Sequence, residues 1–363
     1  MPAPRARAGP GLLSAASGIG RSLVSFTPSG RRWPIGLQAG LAISIPVALG
    51  ALAGNTGLGL QASMGAFTAL YGTRLAPLDR VRLLPLIALG FVASVASGVL
   101  FSATAVSSVL GLILVGSAAV VLCQGFRVGP PGPLMFVLSY GAATLVAAPP
   151  EHGGAGLDGG RLVLLVAAGC ALAYALVASG LLVPSVARRR GKATPARRVL
   201  AGFTLAGEAR IVTVRLLVAV AATGLVSLPL GTHRGYWITS AAVAILGAGA
   251  GRRIPATRAV HRVLGTLVGS ALVLVVALIS PAGLVLALLL GLLQFGVELL
   301  VTRHYALALV LITPLAITVG TAAAGVSPEA VVGERIVDTL LGTAIAVLAL
   351  VALPGRRRAA PPV

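Results

Sequence analysis

The chain has 363 residues, 57% of them hydrophobic and only 10% charged, with a mean hydropathy of +1.00. Soluble domains carry about 25% charged residues, so a soluble globular fold is excluded. The net charge of +20 does not indicate nucleic-acid binding, because aromatic residues make up only 4% of the chain and the basic residues fall mainly in short loops between apolar runs.

Residues 1–32 are basic and rich in Gly, Ser and Pro. Without a clean apolar h-region or cleavage site they read as a basic cytoplasmic segment, not a signal peptide. Runs of roughly 20 apolar residues follow, the length that a hydrocarbon core about 30 Å thick demands of a helix. The first set of spans is predicted near 35–54, 57–76, 83–103, 106–124, 133–149 and 160–183. A basic linker at 185–211 is too small for a folded domain. The second set is predicted near 212–230, 236–251, 262–280, 282–301, 305–324 and 334–353, and a basic tail closes the chain at 355–363. The expected fold is therefore an all-α, polytopic transmembrane helical bundle of about twelve spans.

Charge gives the orientation. With the N-terminus inside and the spans alternating, 25 of the 28 Lys and Arg residues fall on the inner side, and only Arg161, Arg234 and Arg335 fall outside. This is a strong positive-inside signal that puts both termini in the cytoplasm. Shifted by about 175 residues, the spans superimpose, and "RLVLLVAAGCALAYALVASG" (161–180) falls on "RIVDTLLGTAIAVLALVALP" (335–354). Six spans per half is an even number, so the units 33–184 and 212–354 share orientation in a parallel pseudo-two-fold repeat, an arrangement used by secondary transporters.

Polar residues inside the spans are the functional candidates. Asp338 lies in the last span with Arg335 at i−3, within reach on one helix face. It reads either as a structural pair with Arg335 or as a proton-titrated carboxylate or substrate gate. Glu298 lies about a turn from the inner end of its span, followed by Arg303 and His304. It reads as an interface residue paired with Arg303 or, with His304, as a proton relay. His233 and His261 read as loop residues. Thr313-Pro314 falls at mid-span opposite Ser139-Tyr140-Gly141 in the first half. Paired interruptions of this kind point to a binding site, and a tolerated kink is the plainer alternative. Gly265 and Gly269 have the i, i+4 spacing of close helix packing. Arg262 at the inner end of that helix either snorkels or attracts an anion.

Cys123 and Cys170 lie at or in spans and form neither a disulfide framework nor a metal site. No phosphate-binding loop, nucleophile elbow or metal-ligand cluster is present in the sequence, so neither an enzyme nor a cofactor is expected.

Three stretches, "RVLGTLVGSAL" (262–272), "RHYALALVLITPLAI" (303–317) and "ERIVDTLLGTAIA" (334–346), occur in an order and spacing that resemble the membrane domain of the fusaric acid resistance-like (FUSC) proteins, related to aromatic acid exporters. The likeness is good over 232–354 and weaker, through the repeat, over 35–183. It makes Arg262, Gly265, Thr266, Tyr305, Thr313, Pro314, Arg335, Asp338 and Thr339 motif positions, and Thr266, Thr339 and Gly342 packing positions. It implies an exporter of aromatic carboxylates or similar toxic compounds in the bacterial plasma membrane, driven by protons. The larger cytoplasmic domain of some members is absent between the halves. The expected partners are the lipid bilayer, a small organic anion and protons, with a homo-oligomer left open. Two rivals are a voltage-driven anion channel or uniporter, and a non-transporting scaffold in envelope assembly.

Overall fold

The computed structural model describes residues 20–183, 202–231, 234–324 and 328–353, with the backbone alone at 322–324 and 328–330. The first 19 residues, the stretch 184–201 of the linker, His233 and the tail from 354 lie outside the described residues.

Among the described residues, helices of eight residues or more fall where apolar runs predict them. They are α1 (Trp33–Leu52), α2 (Thr56–Ser63), α3 (Pro77–Leu100), α4 (Ala105–Gly125), α5 (Leu134–Ala147) and α6 (Gly159–Ser179). In the second half they are α7 (Glu208–Ser227), α8 (Gly235–Leu246), α9 (Arg253–Ile279), α10 (Gly283–Leu300), α11 (Tyr305–Ala324) and α12 (Pro328–Ala352). Eight of the helices are long and apolar enough to cross a bilayer; α5, α8 and α11 are shorter apolar segments. Short polar residues set several starts. Asn55 caps α2 at the Leu58 N–H, Thr104 and Ser107 form a capping box on α4, and Asp158 caps α6 at the Arg161 N–H.

Three starts lie upstream of the apolar runs. Helices α3, α9 and α12 begin at Pro77, Arg253 and Pro328 instead of near 83, 262 and 334. Helical backbone extends past the apolar stretch because hydropathy marks where lipid begins, not where the hydrogen bonds begin. The two second helices are irregular. The α2 segment turns into a 3-10 helix at Met64–Leu70, and α8 stops at Leu246 rather than 251.

Large apolar side chains are exposed along many helices, for example Val106, Leu110 and Leu114 on α4 and Leu284, Leu288 and Leu292 on α10. Soluble monomers rarely present apolar surface on this scale. These stripes are lipid-facing, and the chain is a multi-pass membrane protein.

Helices in the same order before and after the 184–201 stretch make matching contacts. Helix α3 packs on α5 and α6, as α9 packs on α11 and α12. Helix α1 packs on α10, and α4 packs on α7, so the first helix of each half meets the fourth of the other. Leu286, Leu290 and Leu293 of α10 accordingly belong to the first half's core, and Val120 of α4 to the second's. Small residues permit the contact: a Cβ on Gly40 would lie 2.7 Å from the Gly291 carbonyl oxygen.

Arg80 ties off the irregular end of α2. It is 8% exposed, donates from Nε to the Tyr71 carbonyl at 3.0 Å and from Nη1 to Gln38 Oε1 at 2.9 Å, and also reaches the Ala69 carbonyl. Arg258 on α9 reaches the Ala244 carbonyl near the end of α8 in the same manner. Replacing Arg80 with Ala should cost about 1–3 kcal/mol through the stranded carbonyls. Thermal unfolding of the purified protein checks this, with Arg80→Lys recovering only part of the loss.

Candidate functional site

Helix α8 is buried on every side over Gly235–Leu246. A helix apolar all round belongs in the middle of a larger bundle, and α8 packs on α5, α7 and α12. Its first turn carries Tyr236 and Trp237, with ring centroids 4.7 Å apart.

Beside this turn lies a cavity of about 2130 Å³. Ten arginines line it against two acids, Glu208 and Glu298, so its field is strongly cationic and concentrates anions. Arg74, Arg252 and Arg253 in its lining are exposed. Its far end is closed by Leu145, Tyr236, Trp237, Gly320 and Arg335, which also line a second cavity of about 280 Å³ on the other side, next to Glu334 and Asp338. One layer of side chains thus separates the two spaces.

The side walls are apolar and paired. Leu138, Ala142 and Leu145 of α5 line the cavity, as do Ile312, Ala316 and Val319 of α11. The offset is 174 residues at each position. At the same offset Cys123 and Gln124 of α4 correspond to Val297 and Glu298 of α10, again all lining.

Two arginines lie deep. Arg335 is 3% exposed, and its guanidinium carbon stacks 3.9 Å from the centre of the Trp237 ring. Arg262 is 4% exposed, inside α9 rather than at its end, with Nη1 3.4 Å from the Tyr305 hydroxyl. Tyr305 is itself covered by Arg258 at 4.5 Å.

Asp338 does not make its ion pair with Arg335. It is fully buried, and its Oδ1 accepts from Arg234 Nε at 2.9 Å and Nη2 at 2.7 Å. The i, i+3 spacing allows an Arg335 contact, but the guanidinium is held on Trp237 instead. Arg335 acts on Asp338 only as a nearby charge.

Glu298 likewise pairs with Arg32 at 2.7 Å, not with Arg303. Arg32 Nε also donates to the Glu298 carbonyl at 2.8 Å, while Arg303 donates to Ser29 Oγ at 2.9 Å. His304 Nε2 is 2.9 Å from the Leu23 carbonyl, and His261 Nε2 is 3.0 Å from Ser22 Oγ. His261 is therefore not a loop residue: it lies in α9, its ring stacked on that of His304 at 5.8 Å. Residues 22–32 thus run along the cavity, held through Glu298, Arg303, His261 and His304. Glu298→Gln should free this segment, with amide exchange over 27–32 rising about 10- to 100-fold for the loss of a charge-assisted pair of about 1.5–3 kcal/mol. Hydrogen-exchange mass spectrometry is the check.

The mid-span positions behave differently. Helices α5 and α11 are continuous through Ser139-Tyr140-Gly141 and Thr313-Pro314. Thr313 Oγ1 bonds the Leu309 carbonyl at 2.8 Å and faces Gly269, while Tyr140 donates to the Ser108 carbonyl at 2.8 Å. Neither pair lines the cavity. The packing glycines do approach neighbouring helices: a Cβ on Gly265 would sit 2.6 Å from the Ala306 oxygen, and one on Gly342 would collide with the Ile238 carbonyl. Thr266 and Thr339 are each 1% exposed.

Of the sequence candidates, the cavity gathers Arg262, Arg303, Tyr305, Arg335, Glu298 and His304; Asp338 stands beyond the septum. Arg32, Arg234, Tyr236 and Trp237 were not singled out from sequence. Trp237 is one of only two tryptophans in the chain, which was the available signal. Among the described residues no group of His, Cys, Asp and Glu has a metal-binding arrangement.

Residues 216–349 match the family described as fusaric acid resistance protein-like. An uncharacterized membrane protein of Bacillus subtilis (strain 168), YvaC, is 34% identical over 122 residues, which is 33% of this chain and 19% of that protein. The chain thus spans about a fifth of that curated relative's length. No solved structure matches. The resemblance to the FUSC proteins holds over a stretch that includes Arg262, Tyr305, Arg335 and Asp338.

Proposed function

We propose that this chain is a secondary transporter that exports small organic anions across a bacterial plasma membrane, with no enzymatic step. The observation that carries the reading is the cationic cavity, lined by exposed loop arginines and separated by one layer of side chains from a second, smaller cavity. We read this as a carrier whose large cavity faces the cytoplasm. We read the helices as twelve spans in two six-helix units, 33–184 and 212–354, related by a pseudo-two-fold axis, with both termini in the cytoplasm. The exchanged packing of α1 on α10 and α4 on α7, and the constant offset of the α5 and α11 lining, support it. The family match supports a transport role. In this reading aromatic carboxylates or similar toxic compounds are the cargo, and Asp338, which lines the second cavity, couples export to protons.

A voltage-driven uniporter is favoured by one observation: Asp338 accepts two hydrogen bonds from Arg234 on the same oxygen, as a structural carboxylate does. Moving one negative charge out of a cell gains about 2.3 kcal/mol per 100 mV, so export needs no proton. Liposome flux of benzoate under a pH gradient at clamped voltage separates the two. The expected result is gradient-driven flux in the wild type that Asp338→Asn, still folded, loses. Equal flux in both proteins, following voltage alone, would make the protein a uniporter.

A further inference from the structure

We propose that Arg262 and Arg335 form an anion clamp at the closed end of the large cavity, taking the carboxylate of an organic anion whose apolar body lies between the α5 and α11 walls. The inference rests on the transport reading and gives it a binding site.

Nε and Nη1 of Arg335 and Nε of Arg262 are buried and lack a hydrogen-bond partner among the described residues. Burying a guanidinium with idle donors is costly unless an acceptor arrives. Asp338, three residues on, makes its ion pair with Arg234 through Oδ1 and gives Arg335 no hydrogen bond; its own Oδ2 is buried without a partner among the described residues. Both guanidinia are deeply buried and line the same cavity. Two like charges with free N–H groups around one space are stabilised by an anion between them, and a planar carboxylate matches the guanidinium fork. Trp237, stacked on Arg335, holds that fork in place.

The rest of the wall selects the ligand class. Leu138, Ala142, Ile312 and Val319 offer no hydrogen bond to an inorganic anion. They would cover the apolar body of a carboxylate. The clamp belongs to one half only. At the offset of 174, Arg335 corresponds to Arg161, which is exposed, and Asp338 corresponds to Leu164. A ligand held by Arg335 also lies against the septum that must open for release to the other side.

Binding is measured on the purified full-length chain carrying Trp33→Phe, which leaves Trp237 as the lone fluorophore. The probes are cyclohexanecarboxylate, which does not absorb where tryptophan is excited, and chloride and sulfate. The expected result is saturable quenching by the carboxylate, weakened at least tenfold by Arg335→Gln and by Arg262→Gln and unchanged by Arg161→Gln. Arg335→Gln should not lower the melting temperature, because relief of a buried cation with unmet donors offsets the lost stacking on Trp237; this separates a ligand-holding residue from a structural one. Arg335→Lys covers the case in which Gln fails to fold, and it too should weaken binding by losing the fork. Binding within twofold of wild type in Arg335→Gln overturns the clamp, as does the absence of binding by any probe. Equal affinity for sulfate or chloride overturns the organic class. Arginine-dependent binding with no flux in liposomes sinks the transport reading while the clamp stands. Flux without Arg335-dependent binding does the reverse.

Discussion

Asp338→Ala is expected to lower the stability of the bundle by about 3–5 kcal/mol, the usual consequence of leaving one half of a buried ion pair alone. The carboxylate is fully buried, and the Arg234 side chain is 14% exposed. Without Asp338, Arg234 keeps a charge and two donors at 2.7 and 2.9 Å from nothing. The double variant Arg234→Met with Asp338→Leu removes both charges and should recover most of the loss, because the pair's desolvation cost disappears with it. Asp338→Asn keeps an acceptor for Arg234 and should fall between the two, which is why it suits the flux assay. Thermal unfolding in detergent orders the four proteins. A double variant no more stable than Asp338→Ala would mean that Arg234 is not the partner that matters.

Gly342→Ala should be nearly as severe. A Cβ there meets the Ile238 carbonyl head-on and lies 2.8 Å from the Ala241 Cβ. Both obstacles belong to α8, which is buried on all sides and cannot swing into open space. Overpacking a tight contact costs about 1–3 kcal/mol, and here α12 must move away from the helix that carries Tyr236 and Trp237. Loss of stability and of anion binding should therefore go together. Gly333→Ala, on the same helix with nothing within 4 Å of its Cβ, should stabilise slightly, by up to about 1 kcal/mol from helix propensity. Opposite signs for one substitution at two positions on one helix would identify steric contact as the cause. Equal effects would refute it.

The same two helices mark the boundary between what could be read in advance and what could not. Apolar run length, set by the bilayer and not by the protein, located every described helix to within a few residues of one end. The matching loop lengths and charge pattern suggested two halves. The motif stretches lie on α9, α11 and α12, and put Arg262, Tyr305 and Arg335, which line one cavity, into one list before any contact was known.

Helix faces and partners were beyond that reading. Thr313 and Ser139 drew attention because polar atoms in lipid are costly, yet each sits on the side of its helix away from the cavity. The useful residues of those helices, Ile312 and Ala316 with Leu138 and Ala142, are apolar and indistinguishable in sequence from lipid-facing ones. Charge pairing failed for a related reason. Local spacing offered Arg335 to Asp338 and Arg303 to Glu298, but the pairs formed are Arg234 with Asp338 and Arg32 with Glu298, across 104 and 266 residues. Along a helix, spacing says only which side chains can meet. Which do meet depends on what else stands within reach, here Trp237 for Arg335 and Ser29 for Arg303. The sequence by itself determined a multi-pass helical membrane protein with a handful of charges inside it. The tertiary structure decided which of those charges are neutralised by a distant partner and which two are left facing a cavity with donors unmet, because burial and pairing are properties of the packed bundle and not of any one helix.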